Sequence, residues 1–310
     1  MAGRRTIERA IEQTVAYFSL FQYPLTVSEI WRLLWSNEGQ PTSLSEITFE
    51  IDENESLRTR LTLDDAFVQL AETPALRKLR ESRYRVATVK MRRVKLAARA
   101  MSHLPWVQGV AVCNSLGYQN TRPESDIDFF IITQPNTLWL TRFIVTVVMK
   151  LLRQRPAREH TPNALCLSFF VTTSALNLSS LALPGSDPYL TYWLVQLTPL
   201  FGRGNIWERF WDANRWVQKS LPNVNGYGVS PHSFYRQREN RKQAGWLVRW
   251  CDQQLEKVQR NHFSKAIREG LSREGTAVVA SRDVLKFHTD DRRETYRSDW
   301  QRLLQERMLT

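Results

Sequence analysis

The chain has 310 residues, with 43 Lys and Arg against 31 Asp and Glu, a formal charge of +12 and a pI near 9.9. At 42% hydrophobic residues, with 11 Trp and 14 Phe, it is too apolar for bulk disorder and long enough for about two domains, or three small ones. Cys113, Cys166 and Cys251 are widely spaced and form no CxxC or His-rich pattern, which excludes a disulfide framework and a zinc ribbon. The basic balance favours polyanionic partners such as NTPs, nucleic acid or anionic lipid, without choosing among them.

From Thr6 to about Leu20, apolar residues Ile7, Ala10, Ile11, Val15 and Phe18 recur at helical spacing, and Phe21-Gln22-Tyr23-Pro24 ends the run. Thr26 with Glu29 three residues on forms a capping box for a second helix with Ile30, Leu33 and Leu34 on its face. A further helix is expected over Leu63–Leu79, interrupted near Pro74, and a short alternating strand over Ser82–Thr88. Helices followed by such a wing suggest a winged-helix-like module over residues 1–90. Between Arg77 and Arg99 lie ten basic residues and one acid, Glu81. This segment suits phosphate contact, although a helix over Val89–His103 with Val94, Ala97, Ala98 and Met101 inward predicts a merely solvated basic face.

Pro105 opens the central unit, residues 91–180: a strand over Val107–Cys113, a turn, a strand over Ile127–Thr133, a helix over Thr137–Arg153, a loop through Pro156 and Pro162, and a strand over Leu165–Thr172. This spacing predicts a small mixed sheet in an α+β chain. Residues 181–310 read as a mainly helical C-terminal domain, with helices over Tyr189–Leu200, Ile206–Gln218, Gln243 to about Gly270 and Arg292–Met308. A strand over Ala277–Ala280 and a loop at Lys286-Phe287-His288 complete it. Trp193, Trp207, Trp211, Trp216, Trp246 and Trp250 sit at helical spacings and are expected to pack.

The segment Val107–Thr133 carries the chemistry. Asp126 and Asp128 stand two apart at the start of a strand and so share a face, and two carboxylates converging there suit divalent ions in metal-assisted phosphoryl or nucleotidyl transfer. The pattern Asn114-Ser115, turn, Ser125-Asp126-Ile127-Asp128 and an apolar strand resembles the DNA polymerase β-type nucleotidyltransferase superfamily over about 75 residues. The phrases LFQYPLT and ANRWVQKSLPN add a resemblance in layout to bacterial nucleotidyltransferase-domain proteins of unassigned substrate.

The resemblance implies that Asp126 and Asp128 bind Mg²⁺ (or Mn²⁺) as catalytic residues, and that Asn114, Ser115 and Ser125 hold the NTP, with Ser115 on its phosphates. Asn114 stands where the family has glycine. The family's third carboxylate has no counterpart in Leu165–Phe170: Cys166 or Ser168 occupies its place, and the nearest preceding acid, Glu159, falls in the loop. Arg122 is a candidate phosphate contact, and His288 with Asp290, Asp291 and Arg292 forms a polar cluster expected in a solvated loop.

The expected function is therefore Mg²⁺-dependent transfer of a nucleoside monophosphate from an NTP to an acceptor. The alternative is a catalytically silent nucleotidyltransferase-like protein that binds nucleic acid or a protein through its basic N-terminal module. Phe143–Met149, the longest aliphatic run, is far shorter than the roughly 20 residues needed to span a bilayer, and MAGRRTIERAIEQ lacks a signal-peptide core. A cytoplasmic protein without integral membrane association is expected, with the amphipathic stretch Trp246–Ile267 as a surface that would suit peripheral lipid contact.

Overall fold

The computed structural model describes residues 2–36, 39–151, 164–226, 235–238 and 244–308. The expected loop through Pro156 and Pro162, with Glu159, lies outside them. In chain order the elements are α1 (Ala2–Ser19), β1 (Leu25–Thr26), α2 (Val27–Arg32), α3 (Leu44–Glu53), α4 (Glu55–Arg60), β2 (Leu61–Asp64), β3 (Phe67–Leu70) and α5 (Arg77–Met101). Then follow β4 (Val107–Val112), α6 (Asn114–Gly117), β5 (Ile127–Thr133), α7 (Leu138–Leu151), β6 (Leu165–Thr172), α8 (Pro188–Val195), β7 (Thr198–Arg203) and α9 (Ile206–Ala213). The chain ends with β8 (Tyr235–Gln237), α10 (Trp246–Asn261), α11 (Lys265–Ser272), β9 (Val278–Ala280), β10 (Val284–Phe287) and α12 (Arg293–Met308).

The chain is α+β. Among the described residues, seven strands form a mixed sheet in the order β8-β7-β4-β5-β6-β10-β9, in which β5 runs antiparallel to β4 and parallel to β6. The sheet is wider than the small one expected from residues 91–180, because β7 to β10 come from beyond them. Central β5 reads Ile-Asp-Phe-Phe-Ile-Ile-Thr and alternates between two cores: Phe130 and Ile132 face one, Ile127, Phe129 and Ile131 the other. Successive strand residues point to opposite faces, so Asp126 and Asp128 share the face of Phe130. That face is covered by α1, α8, α9 and α12, and the opposite one by α5, α7 and α10.

Several expected elements differ. Leu63–Leu79 is not a helix: β2 and β3 form a hairpin that turns at Asp65, which takes a left-handed φ of 57°, and short polar residues tolerate that region. Ser82–Thr88 is not a strand but part of α5, where Arg80, Arg83, Ala87, Met91, Val94 and Ala98 repeat at helical spacing as the buried stripe. The helix expected through Leu200 stops at Val195, and Pro199 instead sits in β7 where its register with β4 shifts, a position that tolerates a missing N–H. The stretch expected as one helix to Gly270 breaks at His262, and Ser264 caps α11 by accepting from Ile267 N at 3.3 Å. Lys286 and Phe287 belong to β10, between β6 and β9, rather than to a loop.

The N-terminal elements are sewn to the rest. Thr26 and Glu29 form the expected capping box. Arg80 donates to Glu29 Oε1 at 2.6 Å and lies 3.5 Å above the Tyr23 ring. Arg83 donates to Phe21 O and Asn120 Oδ1, each at 3.0 Å, so LFQYPLT is the segment that docks the first 26 residues onto α5 and the turn after β4. At the other end, Trp300 donates to Gln13 O at 2.9 Å and Tyr17 stacks on Tyr192. Two of the tryptophans expected to pack do not: Trp246 and Trp250 are 79% and 53% exposed. No described helix is long and apolar enough to cross a membrane.

Candidate metal and nucleotide site

Strand β5 begins beside two neighbours that end or begin at the same level. Cys113 closes β4, its N–H donating to Asp128 O at 3.1 Å, and Cys166 of β6 pairs with Asp128. Asp126, Asp128 and Cys166 each place a ligand atom within 4.8 Å of the others. Asp126 is exposed, whereas Asp128 and Cys166 are half-buried.

Asn114, the first residue of α6, takes a left-handed φ of 53°, a conformation Asn tolerates better than most residues. Its Nδ2 donates to Asp128 Oδ2 at 2.8 Å. Its Oδ1 accepts from Trp193 Nε1 at 2.9 Å and from the Tyr189 hydroxyl at 3.5 Å. Asn114 is thus the hinge between the carboxylates and α8. Ser115 follows it, half-buried, its carbonyl accepting from Asn120 N at 2.7 Å. Gly117 completes the turn where a Cβ would come within 2.9 Å of Gln196 O.

The loop that delivers Asp126 is held from below by a cation. Lys90 is 2% exposed, and its Nζ donates to Arg122 O at 2.6 Å and Ser125 O at 2.5 Å. The basic stretch 77–99 is therefore not uniformly solvated: Arg80, Arg83 and Lys90 are buried and bonded inside the fold, while Arg85, Arg92, Arg93 and Arg99 remain exposed. Lys90 falls on the buried stripe of α5, three residues after Ala87 and four before Val94, a spacing hidden by the expectation of a strand over Ser82–Thr88. Arg122 points its backbone to Lys90 and is itself exposed.

Burial, followed by repulsion from Asp126, raises the Asp128 carboxyl to about 6, against hydrogen bonds from Asn114 and Cys166 that lower it. Burial and the Asp128 charge push the Cys166 thiol up, so it is a neutral thiol at ordinary pH and a poor ligand for a hard cation. The raised carboxyl of Asp128 and the solvent-exposed Asp126 beside it form a donor set that fits Mg²⁺ or Mn²⁺, ions that take one or two protein carboxylates and complete their shell with phosphate oxygens.

On the same face, Asn114, Phe169, Tyr189, Trp193, His288 and Tyr296 line a cavity of about 110 Å³. The cluster expected in a solvated loop is part of this wall: His288, Asp290, Asp291 and Arg292 all line it. Burial and then Lys286 lower the His288 imidazole to about 4, so it is neutral. Sequence reasoning missed Lys90, Tyr189 and Trp193, whose roles depend on contacts across long stretches of chain. Comparisons with protein-family models, with curated proteins and with solved structures found no match.

Proposed function

We propose that the chain is a Mg²⁺-dependent nucleotidyltransferase that transfers a nucleoside monophosphate from an NTP to an acceptor. The observation that carries this reading is the convergence of Asp126 and Asp128 at the start of a buried central strand, where two like charges are tolerable only with a cation or a proton between them. Asp126 and Asp128 would hold the metal, which when bound supplies positive charge to the triphosphate. Ser115 and Ser125 flank that corner as hydrogen-bonding groups, and exposed Arg122 is free to meet phosphate oxygens. Asn114 holds Asp128 in place through Oδ2.

The order of helix, strand, three helices and hairpin in α1–β1–α2–α3–α4–β2–β3, with its three-stranded sheet, supports a winged-helix-like reading of the N-terminal module. The alternative function, a silent protein that binds nucleic acid through this module, draws on the thiol of Cys166 where a third carboxylate is expected and on exposed Arg85, Arg92, Arg93 and Arg99 of α5. It is the weaker reading. Helix α3 exposes Glu46, Asp52 and Glu53 and carries no base, which repels a phosphate backbone.

The test is calorimetric titration of an NTP with and without Mg²⁺ into the wild type, Asp126→Asn and Asp128→Asn, with circular dichroism to verify folding. Mg²⁺-dependent binding in the wild type and its loss in both folded variants is expected. Unchanged affinity in both would overturn the proposal.

A further inference from the structure

The cavity beside the carboxylates has walls of a particular kind. Tyr189 and Tyr296 lie nearly parallel, 11° apart with centroids at 5.6 Å, and Trp193 stacks on Phe169. His288 meets the Phe169 edge at 86°. By strand parity it stands on the face of Asp128, because Lys286 pairs with Phe169 and Phe169 with Phe130. Two of the aromatic walls, Tyr189 and Trp193, are bonded to Asn114, which is bonded to Asp128. Cavity and carboxylates are one construction.

The charges around the cavity are matched internally. Lys286 Nζ donates to Thr276 O at 2.6 Å, and its charge is opposed by those of Asp291 and Asp187. Arg293 is shared between Asp187 at 2.9 Å and Asp291 at 2.7 Å. Arg292, which also lines the cavity, is solvent-exposed and its guanidinium lies 5.2 Å from the centre of the Tyr296 ring. The buried cations therefore have no unmatched charge to offer an anion, and the occupant's interior part is uncharged. Flat aromatic faces select a planar ring, and a neutral imidazole offers one donor and one acceptor to its edge. A cavity of about 110 Å³ is on the scale of one ring system rather than of a whole nucleotide.

We infer that this cavity receives the uncharged base of the NTP whose phosphates lie at Asp126 and Asp128. This rests on the nucleotidyltransferase reading and assigns a pocket to one part of its substrate. Tyr189 and Tyr296 supply the stacking surface, His288 the hydrogen bonds to the base edge, and Asn114 fixes the distance between base and metal corner.

The probes are inorganic tripolyphosphate and the α,β-methylene analogues of the four NTPs, titrated with Mg²⁺ into the wild type, Tyr296→Ala and His288→Ala, each variant first verified as folded by circular dichroism. The readout is the ratio of analogue to tripolyphosphate affinity, so each protein is its own control. In the wild type at least one analogue should bind about tenfold tighter than tripolyphosphate, the scale of one stacked base. Both substitutions should bring that ratio close to one. Equal affinities in the wild type, or a preference that survives both substitutions, would overturn the cavity assignment while leaving the metal corner intact. So would a free nucleoside that binds the analogue-saturated protein through Tyr296. Absence of any Mg²⁺-dependent triphosphate binding would overturn this inference together with the proposed function.

Discussion

Asn114 Nδ2 stands 2.8 Å from Asp128 Oδ2, and the other end of the same amide accepts the Trp193 indole N–H at 2.9 Å. One side chain in a left-handed turn thereby orients a carboxylate and anchors an aromatic wall. Its usefulness comes from having both a donor and an acceptor, which glycine at this position lacks.

Asn114→Gly should therefore be harmful even though glycine adopts the φ of 53° without strain. The substitution leaves the buried Trp193 N–H without its acceptor, a loss of about 1–3 kcal/mol. Urea denaturation with tryptophan fluorescence checks it, and a variant as stable as the wild type would show that the amide bridge contributes nothing.

Asp128 gives a pH signature opposite to that of a salt-bridged acid. Its carboxyl is raised to about 6 in the folded chain, above the roughly 3.9 of an unfolded Asp. The folded state then holds this proton more tightly than the unfolded one, so the contribution is fully present below about pH 4 and is lost as pH rises through about 6. Buried Asp252 is also raised to about 6, so the quantity to measure is the wild-type stability minus that of Asp128→Asn. Without divalent ions that difference should fall by roughly 2 kcal/mol between pH 4 and 7.5. Mg²⁺ should recover part of it at pH 7.5 in the wild type alone.

Lys90→Met keeps the apolar stem in its slot and removes the ammonium from Arg122 O and Ser125 O. A cost of about 1–3 kcal/mol is expected, together with weaker Mg²⁺ affinity, because the loop that carries Asp126 loses its support. Lys90→Arg should not restore either, since a planar fork does not fit a site built around one point donor. Denaturation and Mn²⁺ titration by electron paramagnetic resonance report the two effects separately.

Cys166→Asp puts a third carboxylate within ligand reach of Asp126 and Asp128. Divalent-ion affinity should increase at least about tenfold, from added ligand charge, while the metal-free variant should lose stability at pH 7.5 through like-charge repulsion. Isothermal calorimetry and thermal melts with and without Mn²⁺ test the pair of effects; unchanged ion affinity and unchanged metal-free stability would show that residue 166 does not face the carboxylates.

Much of the fold was legible where local pattern and burial agree. The periodicity of α1, the capping box at Thr26, the β5 and β6 runs and the terminal helix read correctly because each is repetitive and shielded on a defined face. The hairpin at Leu61–Leu70 did not, since its turn depends on one left-handed Asp65. Nor did β7 and β10, short strands whose identity comes from the neighbours they pair with. Pro199 and buried Lys286 argue locally against a strand.

For the site, the sequence by itself determined that Asp126 and Asp128 share one face of a strand, because alternation is a property of the backbone. It also determined that no acid lies in β6 to join them. Tertiary structure alone decided that Asn114 bridges Asp128 to Trp193, that Lys90 is a buried strut, and that His288 and Tyr296 enclose a cavity beside them. These partners are separated from the carboxylates by tens to more than a hundred residues of chain. Periodicity can place a residue such as Lys90 on a buried stripe, but its contacts are selected by the packing of whole layers against a sheet.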